Sequence, residues 1–259
     1  MDLTGTSAVV IGGTGGFGSA TVQRLVAAGV QTVIADINDE RGEELVKELG
    51  DAAHYVHTDV FSDESLTATF AAAQAIAPLR SVVIVHGSSS GGGGRLVGRD
   101  GQAVAQESFD RTVEIFLLAS FRALRLAAAS MATNEPLDSG QRGVVIQTAS
   151  IAGYEGQVGQ TAYGAAKAGV IGLTLPAARD LAPVGVRVMT IVPGTFFTPA
   201  FRMSEDDAYE RFGQAIQNPK RMGRADEYGQ LALQIMENDY LNGEAIRIDG
   251  ALRFPAKAN

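Results

Sequence analysis

The sequence predicts an α/β fold in which one doubly wound, parallel sheet of seven strands has helices on both faces. Short, continuously apolar runs such as Ser7–Ile11 are typical of strands that are buried on both sides. Segments with helical spacing of apolar residues separate these runs, as βαβ units require. We find no internal repeat and no point at which a second domain could begin, so we predict a single domain over residues 1–259.

The composition excludes several classes of function. Hydrophobic residues make up 46% and charged residues 19% of the chain, which indicates a folded protein with a sizeable core. The 21 basic and 29 acidic residues give a net charge of -8 without a basic cluster, which argues against nucleic acid as a partner. The absence of cysteine excludes disulfides and thiolate metal sites and fits a cytoplasmic location. We see no signal peptide and no apolar run of the ~18 residues that would span a membrane.

A glycine-rich turn follows the first strand and precedes a helix predicted from about Ser19 to Ala28. Gly12, Gly16 and Gly18 form a G-x-x-x-G-x-G pattern. Glycine at these positions lets the backbone approach a pyrophosphate, whose charge the N-terminus of the helix then favours. A plain loop between a strand and a helix is the simpler alternative.

A carboxylate ends the second predicted strand, Thr32–Ala35. Asp36 can accept the two hydroxyls of an adenosine ribose, and its charge would repel a 2′-phosphate, so the cofactor expected is NAD. Its alternative role is that of a solvated loop residue or an N-cap before Asn38. The third strand, His54–His57, is followed by Asp59, whose carboxylate could bond the adenine amino group or cap the next helix.

The rest of the chain continues this alternation. The fifth strand delivers Ser150 to the carboxyl edge of the sheet, where open α/β sheets bind ligands. Pro176 predicts a kink in its helix, Gly91–Gly94 is a flexible loop, and the polar segment Thr195–Pro219 is either a solvated loop or a lid over a ligand. The other predicted elements are helices Asp39–Leu49, Ser62–Ala77, Phe109–Thr133, Tyr163–Leu181 and Asp226–Glu237, and strands Ser81–Val85, Gly143–Gln147, Val186–Val192 and Glu244–Ile248.

Ser150, Tyr163 and Lys167 are the candidate catalytic residues. On a helix that begins at Tyr163, the i,i+4 spacing places Lys167 one turn later on the same face, so an ammonium lies next to a phenol. A neighbouring cation favours the phenolate and brings the phenol pKa from ~10 towards the pH at which proton transfer is efficient. The hydroxyl of Ser150 can hold the substrate oxygen. The alternative is a tyrosine–lysine pair on a helix surface with no function.

Together, these motifs resemble the classical short-chain dehydrogenases/reductases over essentially the whole chain. Longer stretches, among them Glu155–Gln160 and Thr174–Pro183, are similar to the type 2 3-hydroxyacyl-CoA dehydrogenases of that family, also called type 10 17β-hydroxysteroid dehydrogenases. The resemblance implies a Rossmann-type fold and a homotetramer. It also implies NAD-dependent interconversion of a secondary alcohol and a ketone, with a 3-hydroxyacyl-CoA or a hydroxysteroid as substrate.

The resemblance also assigns roles to single residues. It implies that Tyr163 is the general base, that Lys167 lowers the pKa of Tyr163 and bonds the nicotinamide ribose, and that Ser150 orients the substrate hydroxyl. The backbone of residues 192–195 would face the nicotinamide carboxamide. The NAD-binding residues expected in this way are Gly12, Thr14, Gly16, Phe17, Gly18, Asp36, Ile37, Asp59, Val60, Gly87, Tyr163, Lys167, Pro193, Gly194 and Thr195.

The chain departs from the family pattern next to the catalytic residues. The sequence Ile84-Val85-His86-Gly87 stands where the family has Asn-Asn-Ala-Gly or Asn-Cys-Ala-Gly, and Phe116 stands where it has a helix asparagine that holds a water against the lysine. Phenylalanine cannot hydrogen-bond that water, so we expect either another proton route, such as one through His86, or slow turnover. Two rival functions follow. One is a non-catalytic NAD-binding scaffold, and the other is an NADPH-dependent 3-oxoacyl reductase, which Asp36 disfavours.

Overall fold

A parallel sheet of seven strands lies at the centre of the molecule, as the sequence predicts. The computed structural model describes residues 1–87, 94–198, 201 and 203–257. Its strands are β1 (Ser7–Ile11), β2 (Gln31–Asp36), β3 (Ala53–His57), β4 (Leu79–Ile84), β5 (Gly143–Thr148), β6 (Val186–Pro193), β7 (Phe196–Phe197), β8 (Gly223–Arg224) and β9 (Ala245–Ile248). The order in the sheet is β3–β2–β1–β4–β5–β6–β9, and β7 pairs with β8 in a separate sheet.

Helices cover both faces of the central sheet, which confirms the doubly wound arrangement. The helices are α1 (Gly16–Ala27), α2 (Asp39–Leu49), α3 (Asp63–Ile76), α4 (Gln106–Val113), α5 (Ala119–Met131), α6 (Ala152–Glu155), α7 (Thr161–Leu181), α8 (Glu205–Ala208) and α9 (Ala225–Glu237). One face of the sheet packs on α1, α2 and α9 through side chains such as Leu25 and Tyr228. The other face packs on α3, α5 and α7 through side chains such as Phe70 and Leu124.

The continuous apolar runs form strands because each central strand faces two cores. Every residue of β1 is buried. Val10 packs into the core beneath α1 and α9, whereas Val9 and Ile11 pack into the core beneath α3 and α5. Alternate residues of a strand point to opposite faces, so a strand that is covered on both sides needs apolar residues at every position.

Helix α1 begins at Gly16 rather than at Ser19. Gly16 and Gly18 therefore lie in the first turn of the helix, and the turn that precedes it is Gly12–Gly15. A Cβ at position 18 would lie 2.0 Å from the carbonyl oxygen of Gly12. Gly18 is thus required for close packing of the helix on the turn, which is one of the roles that glycine has in such motifs.

The long helix predicted over Phe109–Thr133 is present as a helical run over 106–131, but the prediction missed a π turn within it. A π turn over Glu114–Leu118 joins α4 to α5, and in it the amide of Ala119 donates to the carbonyl of Glu114, five residues earlier. The carbonyl of Ile115 accepts a hydrogen bond from Nε2 of His86 at 2.9 Å. Apolar spacing along one helix carries no information about such a contact with the end of β4.

Other elements differ from the predictions in detail. Helix α7 begins at Thr161 and continues through Pro176 to Leu181. The described part of Thr195–Pro219 contains β7, α8 and a π turn over Tyr209–Gly213, so it is less irregular than predicted. Of the predicted loop Gly91–Gly94, only Gly94 is among the described residues. Within the described ranges, no helix is long and apolar enough to cross a membrane.

The carboxyl ends of the parallel strands meet along one edge of the sheet. From β1 the chain moves outward to β2 and β3 on one side, and from β4 it moves outward to β5, β6 and β9 on the other. The gap between β1 and β4 is therefore a topological switch point, where open α/β sheets have a crevice that binds ligands.

Candidate active site

Two adjacent cavities lie at the carboxyl edge of the sheet. The β2 cavity, of about 570 Å³, is lined by the turns that follow β1, β2 and β3. The β5 cavity, of about 360 Å³, lies beyond the ends of β5 and β6 and against α7. Val85, His86 and Gly87 follow β4 and line both cavities, so they mark the place where the cavities meet.

Most of the predicted site residues line one of these two cavities. Those at the β2 cavity are Gly12, Thr14, Asp36, Ile37, Asp59, Val60 and Gly87. Those at the β5 cavity are Phe17, Gly87, Ser150, Tyr163, Lys167, Pro193 and Gly194. Three predicted residues line neither: Gly16 and Gly18 lie within α1, and Thr195 lines a separate cavity of about 120 Å³.

Backbone amides hold the carboxylate of Asp36 at the end of β2. Its Oδ2 accepts from the amide of Thr14 at 3.1 Å, and its Oδ1 accepts from the amides of Ile37 and Asn38 at 2.8 and 3.2 Å. The bond to Thr14 fixes the carboxylate against the turn that follows β1. The N-cap of α2 is Asn38, whose side chain accepts from the amide of Arg41, so the capping alternative for Asp36 was wrong.

The capping alternative for Asp59 was wrong as well. The N-cap of α3 is Ser62, whose Oγ accepts from the amide of Ser65 at 3.1 Å. The carboxylate of Asp59 accepts from the amide of Phe61 at 2.9 Å and lines the β2 cavity. Asp59 therefore remains a candidate for contact with an adenine amino group.

The turn between β1 and α1 suits a bound anion. Gly15 is the N-cap of α1, and the first turn of this helix contains no acidic residue, so its free amides present a partial positive charge to the β2 cavity. Gly12 has φ of +84°, and a Cβ there would lie 2.7 Å from the Cα of His86. Only glycine fits this backbone conformation and this contact.

Ser150, Tyr163 and Lys167 meet in the β5 cavity, although Ser150 follows β5 and the other two lie on α7. Tyr163 is the third residue of α7, and Lys167 lies one turn later. The hydroxyl of Ser150 lies near that of Tyr163 and lowers the pKa of the phenol. Nζ of Lys167, which is only 4% exposed, donates to the carbonyl of Thr148 at 2.8 Å. The structure thus brings the three candidate catalytic residues together.

Burial dominates the electrostatics of this group. Burial lowers the pKa of Lys167 to about 7, because the ammonium has lost most of its contact with water. Burial also raises the pKa of the Tyr163 phenol, and the nearby hydroxyl of Ser150 opposes part of that rise. Lys167, whose Nζ lies 5.8 Å from the centre of the Tyr163 ring, does not contribute to the shift of the phenol pKa. At neutral pH the cavity therefore holds a protonated phenol.

An apolar wall faces the lysine and the tyrosine. Phe116, which belongs to the π turn and is 5% exposed, packs edge-to-face on Tyr163 with 5.0 Å between the ring centres. Nζ of Lys167 lies 4.7 Å from the centre of the same ring. A cation–π contact of this kind stabilises the ammonium, but it provides no hydrogen-bond acceptor. Gly87 borders the wall, because a Cβ there would lie 2.4 Å from Cε1 of Phe116.

Comparisons with known proteins agree with this geometry. A family model described as short chain dehydrogenase matches residues 6–208. The chain belongs to the short-chain dehydrogenase family. It is 41% identical to 3-hydroxyacyl-CoA dehydrogenase type-2 from Homo sapiens over 252 residues, which cover 97% of each chain. It is 31% identical to 2,5-dichloro-2,5-cyclohexadiene-1,4-diol dehydrogenase from Sphingobium indicum over 253 residues, 96% of this chain and 97% of the relative.

A solved member of the short-chain dehydrogenase family has nearly the same structure. The crystal structure of 3-hydroxyacyl-CoA dehydrogenase type-2 from Mycobacterium avium superposes with a TM-score of 0.95 at 48% identity and covers 98% of both chains. These similarities confirm the resemblance to the type 2 enzymes that the sequence shows. The protein is therefore an oxidoreductase with the fold of that family.

Short-chain dehydrogenases generally use a nicotinamide cofactor, and the residues of this chain fit one. The two cavities share Val85, His86 and Gly87 and so lie side by side between Asp36 and Tyr163, an arrangement that suits an extended dinucleotide. Gly12 and the N-terminus of α1 suit the pyrophosphate between its two halves.

His86 is tied to the π turn. Because Nε2 faces the carbonyl of Ile115, the proton of the neutral ring belongs on Nε2. Nδ1 is buried and has no hydrogen-bond partner among the described residues. Burial lowers the pKa of His86 to about 4, and the nearby charge of Lys167 lowers it further than burial alone. A neutral, hydrogen-bonded imidazole is suited to holding the π turn in place and poorly suited to releasing protons.

Several residues that line the cavities were not predicted from the sequence, among them Thr148, Gly159 and Gln160. Thr148 supplies the carbonyl that holds Lys167, and its hydroxyl bonds the carbonyl of Ile84 at 2.7 Å and the hydroxyl of Tyr228 at 2.6 Å. A threonine at the end of an apolar strand was the available signal. Gly159 and Gln160 line the opposite wall of the β5 cavity. Both belong to the stretch Glu155–Gln160, which resembles the family but to which the sequence analysis assigned no role.

Proposed function

We propose that this protein is an NAD-dependent oxidoreductase that interconverts a secondary alcohol and a ketone, with a 3-hydroxyacyl-CoA or a hydroxysteroid as substrate. The observation that carries the proposal is the meeting of Ser150, Tyr163 and Lys167 in a cavity that adjoins the one lined by Asp36. The substrate class rests on the similarity to the type-2 3-hydroxyacyl-CoA dehydrogenases of Homo sapiens and Mycobacterium avium. The chain would act as one domain, and a cytoplasmic location stays a prediction of the sequence.

The cofactor would extend across both cavities. Asp36 would bond the adenosine ribose, the turn Gly12–Gly16 would hold the pyrophosphate, and Pro193 and Gly194 would border the nicotinamide. NAD, when bound, supplies the hydride acceptor for the alcohol carbon, and NADH supplies the hydride in the reverse direction. The part of the protein in this reaction is to orient the reacting groups and to move one proton.

Tyr163 would move that proton. In oxidation, the phenolate oxygen of Tyr163 takes the proton of the alcohol hydroxyl, and in reduction the phenol returns it to the ketone oxygen. The hydroxyl of Ser150, which lines the same cavity as Tyr163, would hold the same substrate oxygen. Lys167 in its charged form favours the phenolate. Because burial raises the pKa of Tyr163, the protonated phenol that acts in reduction is the form present at neutral pH.

A substrate panel tests the function. We expect NADH absorbance to appear when NAD is mixed with a 3-hydroxyacyl-CoA or a hydroxysteroid, and to disappear when NADH is mixed with the matching ketone. Activity with NADPH and a 3-oxoacyl substrate alone would favour the reductase alternative. Binding of NADH without turnover of any substrate in either direction would favour the scaffold, which is the alternative that the Phe116 wall supports.

Asp36 is expected to set the choice of cofactor. Asp36→Ala removes a fixed carboxylate from the β2 cavity, so the preference for NADH over NADPH should fall by about 10- to 100-fold, as expected for the loss of hydrogen bonds to a charged group. Calorimetry with each reduced cofactor measures both dissociation constants. Asp39→Ala is the matched control, since Asp39 lies nearby but outside the β2 cavity, and it should leave the preference unchanged. Equal affinity of the unmodified protein for both cofactors would refute the assignment.

We also propose a homotetramer with closed symmetry. Leu118, Phe121 and Leu175 are 50%, 48% and 45% exposed on the π turn, α5 and α7, and a subunit interface would cover them. Sedimentation velocity at micromolar concentration should show a tetramer. Phe121→Arg should shift the protein to smaller species, whereas Tyr240→Arg, at a side chain that is 98% exposed, should not. A monomer at this concentration would exclude the proposal.

A further inference from the structure

A cluster of charged residues lies beneath the C-terminal tail, outside the group of Ser150, Tyr163 and Lys167. Nη2 of Arg247, on β9, donates to Oε1 of Glu155 at 2.7 Å, and its Nε donates to Oδ2 of Asp249 at 2.7 Å. The side chains of Arg247 and Glu155 are each 23% exposed, and that of Asp249 is 8% exposed. The guanidinium therefore joins the end of α6, which follows Ser150, to the last strand of the sheet.

The C-terminal tail is fastened to the same place. The carboxylate of Glu155 also accepts from the amide of Phe254 at 3.3 Å. The amide of Val158 donates to the carbonyl of Ala256 at 2.9 Å, and Nε2 of Gln157 donates to the carbonyl of Pro255 at 3.2 Å. Residues 254–256 thus lie along residues 155–158 and are bonded to them through both backbone and side chains.

The segment that the tail covers continues into the wall of the β5 cavity. Gly159 and Gln160 line that cavity opposite the end of β5. The carbonyl of Gly159 accepts from the amide of Gly94 at 2.9 Å, and the carbonyl of Gln160 accepts from the amide of Gly164 at 2.7 Å. Residues 156–160 are therefore bonded to three parts of the chain: the C-terminal tail, Gly94 and α7.

We propose that Arg247 is a positioning residue that, through Glu155 and residues 254–256, fixes the segment 156–160 as the substrate-side wall of the cavity. Without the guanidinium, the carboxylates of Glu155 and Asp249 lose the cation between them, and the Glu155 carboxylate is no longer held for the amide of Phe254. The tail and the wall then loosen together. The kinetic part of this inference rests on the proposed function, and the structural part does not.

Kinetics of Arg247→Gln test the inference in the active enzyme. The KM for the acyl-CoA or steroid substrate should rise by about 10-fold, as expected for the loss of a hydrogen bond to a charged group, while kcat and the dissociation constant of NADH stay within about twofold. Arg247→Lys should restore part of the loss. Arg253→Gln is the matched control because Arg253 pairs with the same Asp249 from the solvent side, where its side chain is 59% exposed. It should leave KM unchanged.

Hydrogen–deuterium exchange tests the inference without turnover. Amides in residues 156–160 should exchange at least about 10-fold faster in Arg247→Gln than in the unmodified protein or in Arg253→Gln. Removing residues 254–259 should speed the exchange of the same amides by a similar factor. Combining this truncation with Arg247→Gln should increase the exchange rate little further. If Arg247→Gln does not fold, the truncated protein is used for the test. Unchanged exchange in the truncated protein would overturn the inference. If exchange is faster in Arg247→Gln but neither the unmodified protein nor any variant turns over a substrate, the structural role of Arg247 is supported and only the proposed function is refuted.

Discussion

Replacing Tyr163 with phenylalanine should reduce turnover by about 10²- to 10⁴-fold, the range that general acid–base catalysis contributes. The change removes only the hydroxyl, which is the group that would exchange a proton with the substrate. The ring that packs against Phe116 is retained, so the wall of the cavity keeps its shape. Steady-state kinetics with NAD and the substrate found in the panel measures the loss, and calorimetry should show an NADH affinity within about twofold of the original.

Tyr240→Phe provides the control for this experiment. Tyr240 is 98% exposed and lies outside both cavities, so loss of its hydroxyl should have no effect on turnover. If Tyr163→Phe folds, binds NADH and keeps its turnover, Tyr163 transfers no proton and the proposed chemistry is incorrect. If both variants lose activity equally, the effect reports on stability and not on the site.

Replacing Phe116 with asparagine should raise turnover at neutral pH by about 10-fold or more, a part of the contribution expected of a proton relay. Phe116 packs against both Tyr163 and Lys167 and offers no acceptor to a water. An asparagine side chain can hold a water next to the ammonium, so a proton taken up by Tyr163 gains a path past Lys167. NADH affinity should stay nearly unchanged, because the change is made in the wall of the β5 cavity and not at the β2 cavity.

The pH dependence of this gain has a definite sign. Burial lowers the pKa of Lys167 to about 7, so the unmodified protein loses the ammonium next to Tyr163 as the pH rises through 7. A water held by asparagine at position 116 would solvate the ammonium and raise the pKa of Lys167 towards its ordinary value. The ratio of turnover in Phe116→Asn to turnover in the unmodified protein should therefore be small below pH 7 and should increase above it.

The variant Phe116→Leu separates the effect of a new hydrogen-bond acceptor at position 116 from the effect of the space that the ring leaves. Leucine removes the ring without adding a hydrogen-bonding group, so turnover should not rise. Both variants lose buried apolar contacts and are expected to be less stable by about 3 kcal/mol, which thermal unfolding would show. A folded Phe116→Asn variant with unchanged or lower turnover would mean that the proton leaves by a route that does not pass this position.

The parts of the fold that the sequence predicts well are those with a local cause. The strand over Ser7–Ile11 is predictable because a run buried on both faces must be apolar at every residue. The meeting of Ser150 with Tyr163 follows from the rule that ligand sites lie at the carboxyl edge of the sheet, combined with the i,i+4 spacing to Lys167. These inferences need only the order of the elements and the period of a helix.

The parts that could not be predicted depend on contacts between distant residues. The π turn at Glu114–Leu118 includes the carbonyl that His86 bonds, 29 residues away along the chain. The pairing of Arg247 with Glu155 spans 92 residues. The pKa of Tyr163 was expected to fall, but it rises because the phenol is buried, and the sequence shows neither that burial nor the distance to Lys167. Charge type is visible in a sequence, whereas separation and burial are not.

Because of the π turn, the lining of the β5 cavity depends on the number of residues between α4 and α5. Successive residues of an α-helix are rotated by about 100°, and a π turn contains one residue more than a regular turn. Deleting one residue within 114–118 would restore a regular helix and leave α4 and α5 in nearly the same relative orientation, because α5 stays anchored in the core through Ala123 and Met131, but the residues within the turn would face in new directions. Phe116 would then turn away from the lysine. A homologue shortened by one residue in this turn should therefore have a differently lined cavity even where every catalytic side chain is kept.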